Sequence, residues 1–243
     1  MKICSAQTKP IRGDIQKNVE QHLALINQAI KHKAEFIVFP ELSITGYEPT
    51  LTDELATIPD DERFDVFQSK SDKNDIVISI GAPIKNDGGV SIGMITFRPK
   101  KPRKLYLKKH LFHTELKHFV TGNTETNIEI KNTTIGLAIC YEISVPEHQK
   151  VAFENGSEIY VAGIVETVEG IERAIDKMAT TSKKYAMVSL IANCIGVSGK
   201  YDCGGKSSIW DANGDLQGQL SGTEIGVLIY DTDSKEVDID YLQ

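Results

Sequence analysis

The hydrophobic pattern of this chain changes period at a single residue. From Thr134 to Ile139 it reads Thr-Ile-Gly-Leu-Ala-Ile, an apolar, β-branched run of strand character that ends at Cys140. Past that point the signals are those of a helix start. Ser144 is a capping residue type, Pro146 suits a first turn, and Glu147 brings negative charge to the end that favours it. The pattern predicts a strand, a sharp turn at Cys140 and a helix. Backbone N–H groups gather at such a turn and the helix dipole favours negative charge there. A thiol so placed is expected to have a lowered pKa and to act as a nucleophile. A free cysteine also serves as a small apolar residue closing a buried strand, so the rest of the chain has to decide.

Strand and helix patterns alternate around this stretch. Residues 2–8 alternate like a strand, residues 14–33 carry Val19, Leu23, Ile26 and Ile30 at helix spacing, and residues 35–39 form a short buried strand ending at Pro40. A weaker helix spans 62–71. Strands at 75–84 and 90–97 flank the hairpin signal Lys85-Asn86-Asp87-Gly88-Gly89, and another short strand covers 104–108. Strands at 128–130 and 133–139 precede a helix at 145–155, a strand at 158–162, a helix at 169–184 and a strand at 187–192. The last fifty or so residues read mostly as short strands, at 207–210, 216–220, 223–230 and 236–241. Helices covering one face of each of two sheets would bury all the apolar faces of such a mixed α/β chain. With 243 residues, 40% of them hydrophobic, the chain is long enough for a full core. No linker, low-complexity tract or repeat divides it, so residues 1–243 are expected to form one domain.

Charge and cysteine usage narrow the function. The net charge of −7 argues against a nucleic-acid surface. No apolar run approaches the ~20 residues of a membrane span, and the sequence opens directly on a strand, so neither a membrane segment nor a signal peptide is expected. The four cysteines, at 4, 140, 194 and 203, have no framework spacing, which fits reduced thiols and a cytoplasmic location.

Several residues carry possible chemistry. Glu41 follows a buried strand and a proline; partial desolvation would raise its pKa and suit it to act as a base. Lys108 and Lys109 stand side by side on a strand pattern and so face opposite ways, one inward. An inward ammonium beside a thiol and a carboxylate would stabilise an oxyanion. Glu115 follows closely as a second carboxylate. His110, His113 and His118 match no metal-binding spacing, and no metal is expected. Gly205-Lys206-Ser207 lacks the upstream glycine of a phosphate loop, and Asp211 to Asp215 reads as a hairpin turn.

Taken in order, Phe39-Pro40-Glu41, the Tyr106-x-Lys108-x-His110-Leu111 segment and the Gly136 to Glu147 segment resemble the nitrilase superfamily of carbon–nitrogen hydrolases. Ala6-Gln7, Ile191 to Gly196 and Gly205 to Asp211 extend the likeness along the chain. The resemblance implies an α-β-β-α sandwich that assembles as a homodimer or a higher homo-oligomer. It implies hydrolysis of a non-peptide C–N bond in a small molecule through a thioester, with no metal or organic cofactor. Carried across, Cys140 is the nucleophile, Glu41 the acid–base group and Lys108 the oxyanion donor with the backbone N–H that follows Cys140. Glu115 helps position substrate and lysine, and Tyr47, Tyr141 and Glu166 are expected toward the substrate. Nitrile hydrolysis, or a non-catalytic binding or scaffold role, are the alternatives. Thr121-Gly122 stands where Pro-Gly is common, Thr181 to Lys184 lacks the usual Arg-x-x-Glu pattern, and two departures lie next to the nucleophile. Ser144 stands where an arginine is common, which points to a neutral or cationic amide or a carbamoyl amine. Glu142 replaces the more usual aspartate below the nucleophile.

Overall fold

Polar and apolar periodicity place most of the elements, and the computed structural model describes all of residues 1–243. β1 (Lys2–Gln7) leads through α1 (Ile15–Lys31) to β2 (Phe36–Val38). Asp14 caps α1, its carboxylate accepting from the Lys17 backbone N–H at 3.1 Å. A short α2 (Thr52–Leu55) and α3 (Asp65–Asn74) precede the antiparallel run β3 (Val77–Asn86), β4 (Gly89–Arg98) and β5 (Lys101–Leu107). β6 (Asn127–Ile130) pairs with β7 (Thr133–Ile139); α4 (Pro146–Glu154), β8 (Ile159–Gly163), α5 (Ile171–Tyr185) and β9 (Val188–Ala192) follow. The chain closes with β10 (Ile195–Ser198), β11 (Tyr201–Gly204), β12 (Ser208–Trp210), β13 (Leu216–Gln219), β14 (Gly226–Asp231) and β15 (Val237–Tyr241).

Two sheets result, ordered β15-β14-β1-β2-β3-β4-β5 and β13-β12-β9-β8-β7-β6, with β10–β11 as a separate hairpin. Each sheet has three parallel strands in a row, β1-β2-β3 in one and β7-β8-β9 in the other. Strands buried on both faces divide their residues by period two between two cores. In β7, Ile135, Leu137 and Ile139 join Ile3, Phe36, Val38 and Leu190 between the sheets. Ala138 instead meets Ala152 of α4 and Ala174 and Met178 of α5. In β1, Cys4 and Ala6 pack with Val19, Leu25 and Ile26 of α1. Three cores separate four layers, so the fold is the α-β-β-α sandwich expected. The core between the sheets is the largest, with 27 buried residues against 22 and 12 under the helices. A loop caught between the sheets is close-packed on both sides.

One local expectation is corrected. Residues Cys140–Ser144 wind into a 3₁₀ turn before α4 begins. Val145 takes the cap position without a side-chain bond and Pro146 is the first helical residue, so Ser144 does not cap. As the last residue of the extra turn, Ser144 looks toward α5, and its hydroxyl accepts from Lys177 Nζ at 2.7 Å.

Candidate active site

Three segments meet where strands end. Glu41 comes just after β2, Lys108 directly after β5, and Cys140 directly after β7. The carboxyl ends of parallel strands are where open α/β sheets place ligands. The Glu41 segment lies between the sheets. A Cβ added to Gly163 of β8 would come 2.6 Å from the Phe39 carbonyl oxygen, and one added to Gly81 of β3 would run into Pro40 and Leu42 backbone atoms. Glycine from each sheet thus makes room for the segment. From the other side α1 holds its continuation. Asn18 Nδ2 donates to the Ile44 carbonyl at 2.9 Å. His22 takes the Ser43 hydroxyl at 2.9 Å on Nε2 and gives its Nδ1–H to the Asn18 carbonyl at 2.7 Å. Burial pushes His22 down to about 4, which keeps the ring neutral in that role. Sequence reasoning missed Asn18 and His22, because a polar residue on a helix face carries no local sign of what it will meet.

The charged cluster is buried. Lys108 is fully enclosed, and its Nζ donates to Glu41 Oε1 at 2.6 Å and to Glu115 Oε1 at 2.8 Å. Burial opposes the ammonium, yet Glu41, Cys140 and Glu115 together hold its pKa above the ordinary lysine value, so it stays charged. Glu115 is also fixed by the Tyr47 hydroxyl at 3.1 Å and by the Phe112 backbone N–H at 2.7 Å. Glu41 is raised to about 7, first by burial and then by Glu115, against the opposing pull of Lys108. Its Oε2 is buried and makes no hydrogen bond. The raised carboxylate is as expected from a glutamate at the end of a buried strand.

Cys140 departs from expectation. It does stand on a strained turn, at φ 45°, a backbone region that costs an L-residue energy and recurs at functional sites. Its thiol, however, is pushed well up, first by burial and then by Glu41, and Lys108 does not offset them. The 3₁₀ turn offers little dipole, and two carboxylates stand beside one ammonium. The resting cysteine is therefore a thiol and not the thiolate expected from the turn.

The remaining predicted residues divide. Tyr47 is brought to the cluster through Glu115, and its ring also lines a cavity of about 550 Å³ with Arg12, Thr114, His118, Lys200 and Tyr201. None of Cys140, Glu41 or Lys108 lines that cavity, so it adjoins the chemistry without containing it. Tyr141 is exposed, its ring 5.4 Å from that of Phe112 at the surface. Glu166 comes after β8, but its carboxylate is folded back over Gly170 at the start of α5. Burial raises its pKa, while Arg173 and Lys177 on α5 pull it down. Asn193, not singled out from sequence, pins this segment: its Oδ1 accepts the Glu166 N–H at 2.9 Å and its Nδ2 donates to the Glu166 carbonyl at 3.1 Å. Cys194 is buried beside Cys203, consistent with a packing role.

Comparison with known proteins agrees with this architecture. A family model described as carbon-nitrogen hydrolase matches residues 2–238. A probable nitrilase of Schizosaccharomyces pombe is 24% identical over 95% of this chain and 88% of its own length. A nitrilase of Pyrococcus abyssi is 23% identical over 96% of this chain and 90% of its own length. Among solved structures, an amidase from Nesterenkonia sp. AN1 superposes with a TM-score of 0.86 at 20% identity, covering 97% of this chain and 94% of that one. Variants of that amidase are described in complex with butyramide and with the acetamide moiety of fluoroacetamide added covalently at the active-site cysteine.

Proposed function

The chain belongs to the carbon–nitrogen hydrolase family, and on that premise we propose that it is an amidase working through a thioester on Cys140. The observation that carries this reading is the buried Lys108–Glu41 pair, 2.6 Å apart, beside a cysteine whose resting form is the thiol. As Sγ attacks the amide carbonyl, its proton passes to Glu41 Oε2, the oxygen without a partner. That transfer leaves the net charge of the cluster unchanged, which matters beside a carboxylate and an ammonium that are both buried. Lys108 has three N–H bonds and spends two on Glu41 and Glu115, so the third is left for the developing oxyanion. The backbone N–H of Tyr141, at the start of the 3₁₀ turn, is the second donor. Glu41 then returns the proton to the leaving nitrogen, and the C–N bond breaks to give the thioester. A water loses its proton to Glu41 and attacks the thioester; the acid departs and Cys140 regains its hydrogen.

The proposed substrate is a neutral amide or carbamoyl amine. Burial raises the pKa of Glu166 while Arg173 and Lys177 oppose that rise, and Lys177 also donates to Ser144. With two cations drawing on Glu166, that residue is a weaker argument for a cationic substrate than for a neutral one. The covalent acetamide adduct reported for the Nesterenkonia amidase supports a cysteine nucleophile. The names of the S. pombe and P. abyssi relatives favour nitrile hydrolysis at the same cysteine as a second reading. A homodimer is proposed as the assembly, to be checked by sedimentation equilibrium.

Intact-protein mass after incubation with aliphatic amides, carbamoyl amines and nitriles tests the reading, with ammonia or amine release followed in the same samples. An acyl adduct on the native chain, absent from Cys140→Ala, is expected. Release that survives Cys140→Ala overturns the cysteine mechanism. Faster turnover of an ω-amide of a keto acid than of simple amides overturns the neutral preference.

A further inference from the structure

Beneath the nucleophile lies a further buried carboxylate, Glu142, which no step above uses. Its Oε2 accepts from the Ile139 backbone N–H at 2.8 Å and the Tyr106 hydroxyl at 2.7 Å. Its Oε1 accepts from the backbone N–H groups of Lys109 at 2.7 Å and His110 at 3.2 Å. Ile139 immediately precedes Cys140, and Lys109 immediately follows Lys108. One side chain therefore ties the backbone beside the nucleophile, in one sheet, to the backbone beside the lysine, at the edge of the other.

The hydroxyl on Glu142 belongs to a longer chain whose direction is forced. Tyr106 has one hydroxyl proton and gives it to the carboxylate, so its oxygen accepts from His148 Nε2–H at 2.9 Å. Burial keeps the His148 ring neutral against the opposing pull of Glu142. A neutral ring protonated on Nε2 is an acceptor at Nδ1, and the Tyr160 hydroxyl stands 2.9 Å from it. The order runs from Tyr160 to His148 to Tyr106 to Glu142, with every donor aimed at the carboxylate. Each link comes from a different element: β8, α4, β5 and the 3₁₀ turn.

We propose that Glu142, held by this ordered chain, is a positioning residue that sets the separation of Cys140 and Lys108. The role rests on the assignment of those two residues above. It also gives the glutamate at this position a reason: its carboxylate spans from the turn it sits on to the strand end that carries Lys108.

The test compares Glu142→Gln with the native protein and with Tyr160→Phe. The glutamine keeps the length but replaces one acceptor oxygen with an N–H₂ group facing donors. A displacement of about 1 Å at the reacting groups costs about 100-fold in rate, so kcat is expected to fall by that order in Glu142→Gln while KM changes less than about threefold. In Tyr160→Phe, distant from the substrate, kcat is expected to fall about tenfold by the same misplacement argument. Nitrogen NMR of the native protein is expected to show His148 as the neutral Nε2–H tautomer. A kcat within twofold of native in a folded Glu142→Gln, or an Nδ1–H tautomer at His148, overturns the proposal. Should Glu142→Gln fail to fold, Tyr160→Phe decides by the same kcat criterion. If the native protein turns over no amide or nitrile, the hydrolase reading fails separately. The rate of Cys140 alkylation by iodoacetamide then reads the geometry: slowed about tenfold in the variants it supports positioning, and unchanged it overturns it.

Discussion

In the proposed cycle Glu41 is anionic to take a proton and neutral to give one back, and a pKa raised by burial to about 7 allows both near neutral pH. Only the ionised form accepts the thiol proton, so kcat/KM is expected to fall as pH drops below about 7, approaching tenfold per unit. A pH profile of kcat/KM checks this; an acid limb centred near the ordinary glutamate value would show that Glu41 is not the base. Glu41→Gln is expected to lose about 10²–10⁴-fold in kcat. The raised glutamate was legible in the sequence, since burial at a strand end is a local property. The thiol was not. Its shift depends first on burial and then on Glu41, against Lys108, and those two residues lie about a hundred and about thirty residues earlier in the chain, so a turn pattern alone does not say what faces it.

At the scale of elements, the site depends on a loop trapped between sheets more than on any helix. Gly163 of β8 and Gly81 of β3 leave room for the Phe39 to Leu42 backbone, and Asn18 and His22 of α1 hold the loop that follows. Gly163→Ala puts a methyl group against the Phe39 carbonyl, which is backbone and has little freedom to yield. Overpacking of this kind costs about 1–3 kcal/mol, and at this chain length each kcal/mol lowers Tm by about 2–4 °C. Thermal melts and steady-state kinetics on Gly163→Ala check the expectation: a lowered Tm, and kcat reduced more than KM because Glu41 is displaced. The strands carrying the three central residues were legible, since each is a run with clear period and a turn signal. The β10–β11 hairpin and α2 were not. Four-residue elements are too short to establish a period, and their shape is set by what they pack on.

The molecule as a whole follows from apolar strands that need cover on both faces, which is why the four-layer plan was legible before any contact was known. What the layers enclose was less so. His22 lies where α1 meets the larger sheet, stacked on Phe39 at 4.1 Å between ring centroids. Its pKa falls from the ordinary 6.5 to about 4 because burial penalises the charged ring. The unfolded chain thus binds a proton between those values that the folded chain refuses. Stability from this group is complete above pH 6.5 and is lost as pH falls toward 4, by about 3 kcal/mol. Glu41 acts in the opposite sense. Raised from 4.5 to about 7, it favours the folded state as pH falls through that range, so the two largely cancel in the total. The comparison that isolates His22 is therefore native protein against His22→Gln, with Glu41 present in both. Urea unfolding from pH 7 to pH 4 is expected to show the native advantage over the variant shrinking by about 3 kcal/mol across that range. An advantage constant with pH would mean that His22 binds its proton equally in the folded and unfolded chain, and that the neutral ring between Asn18 and Ser43 is not what holds the Glu41 loop.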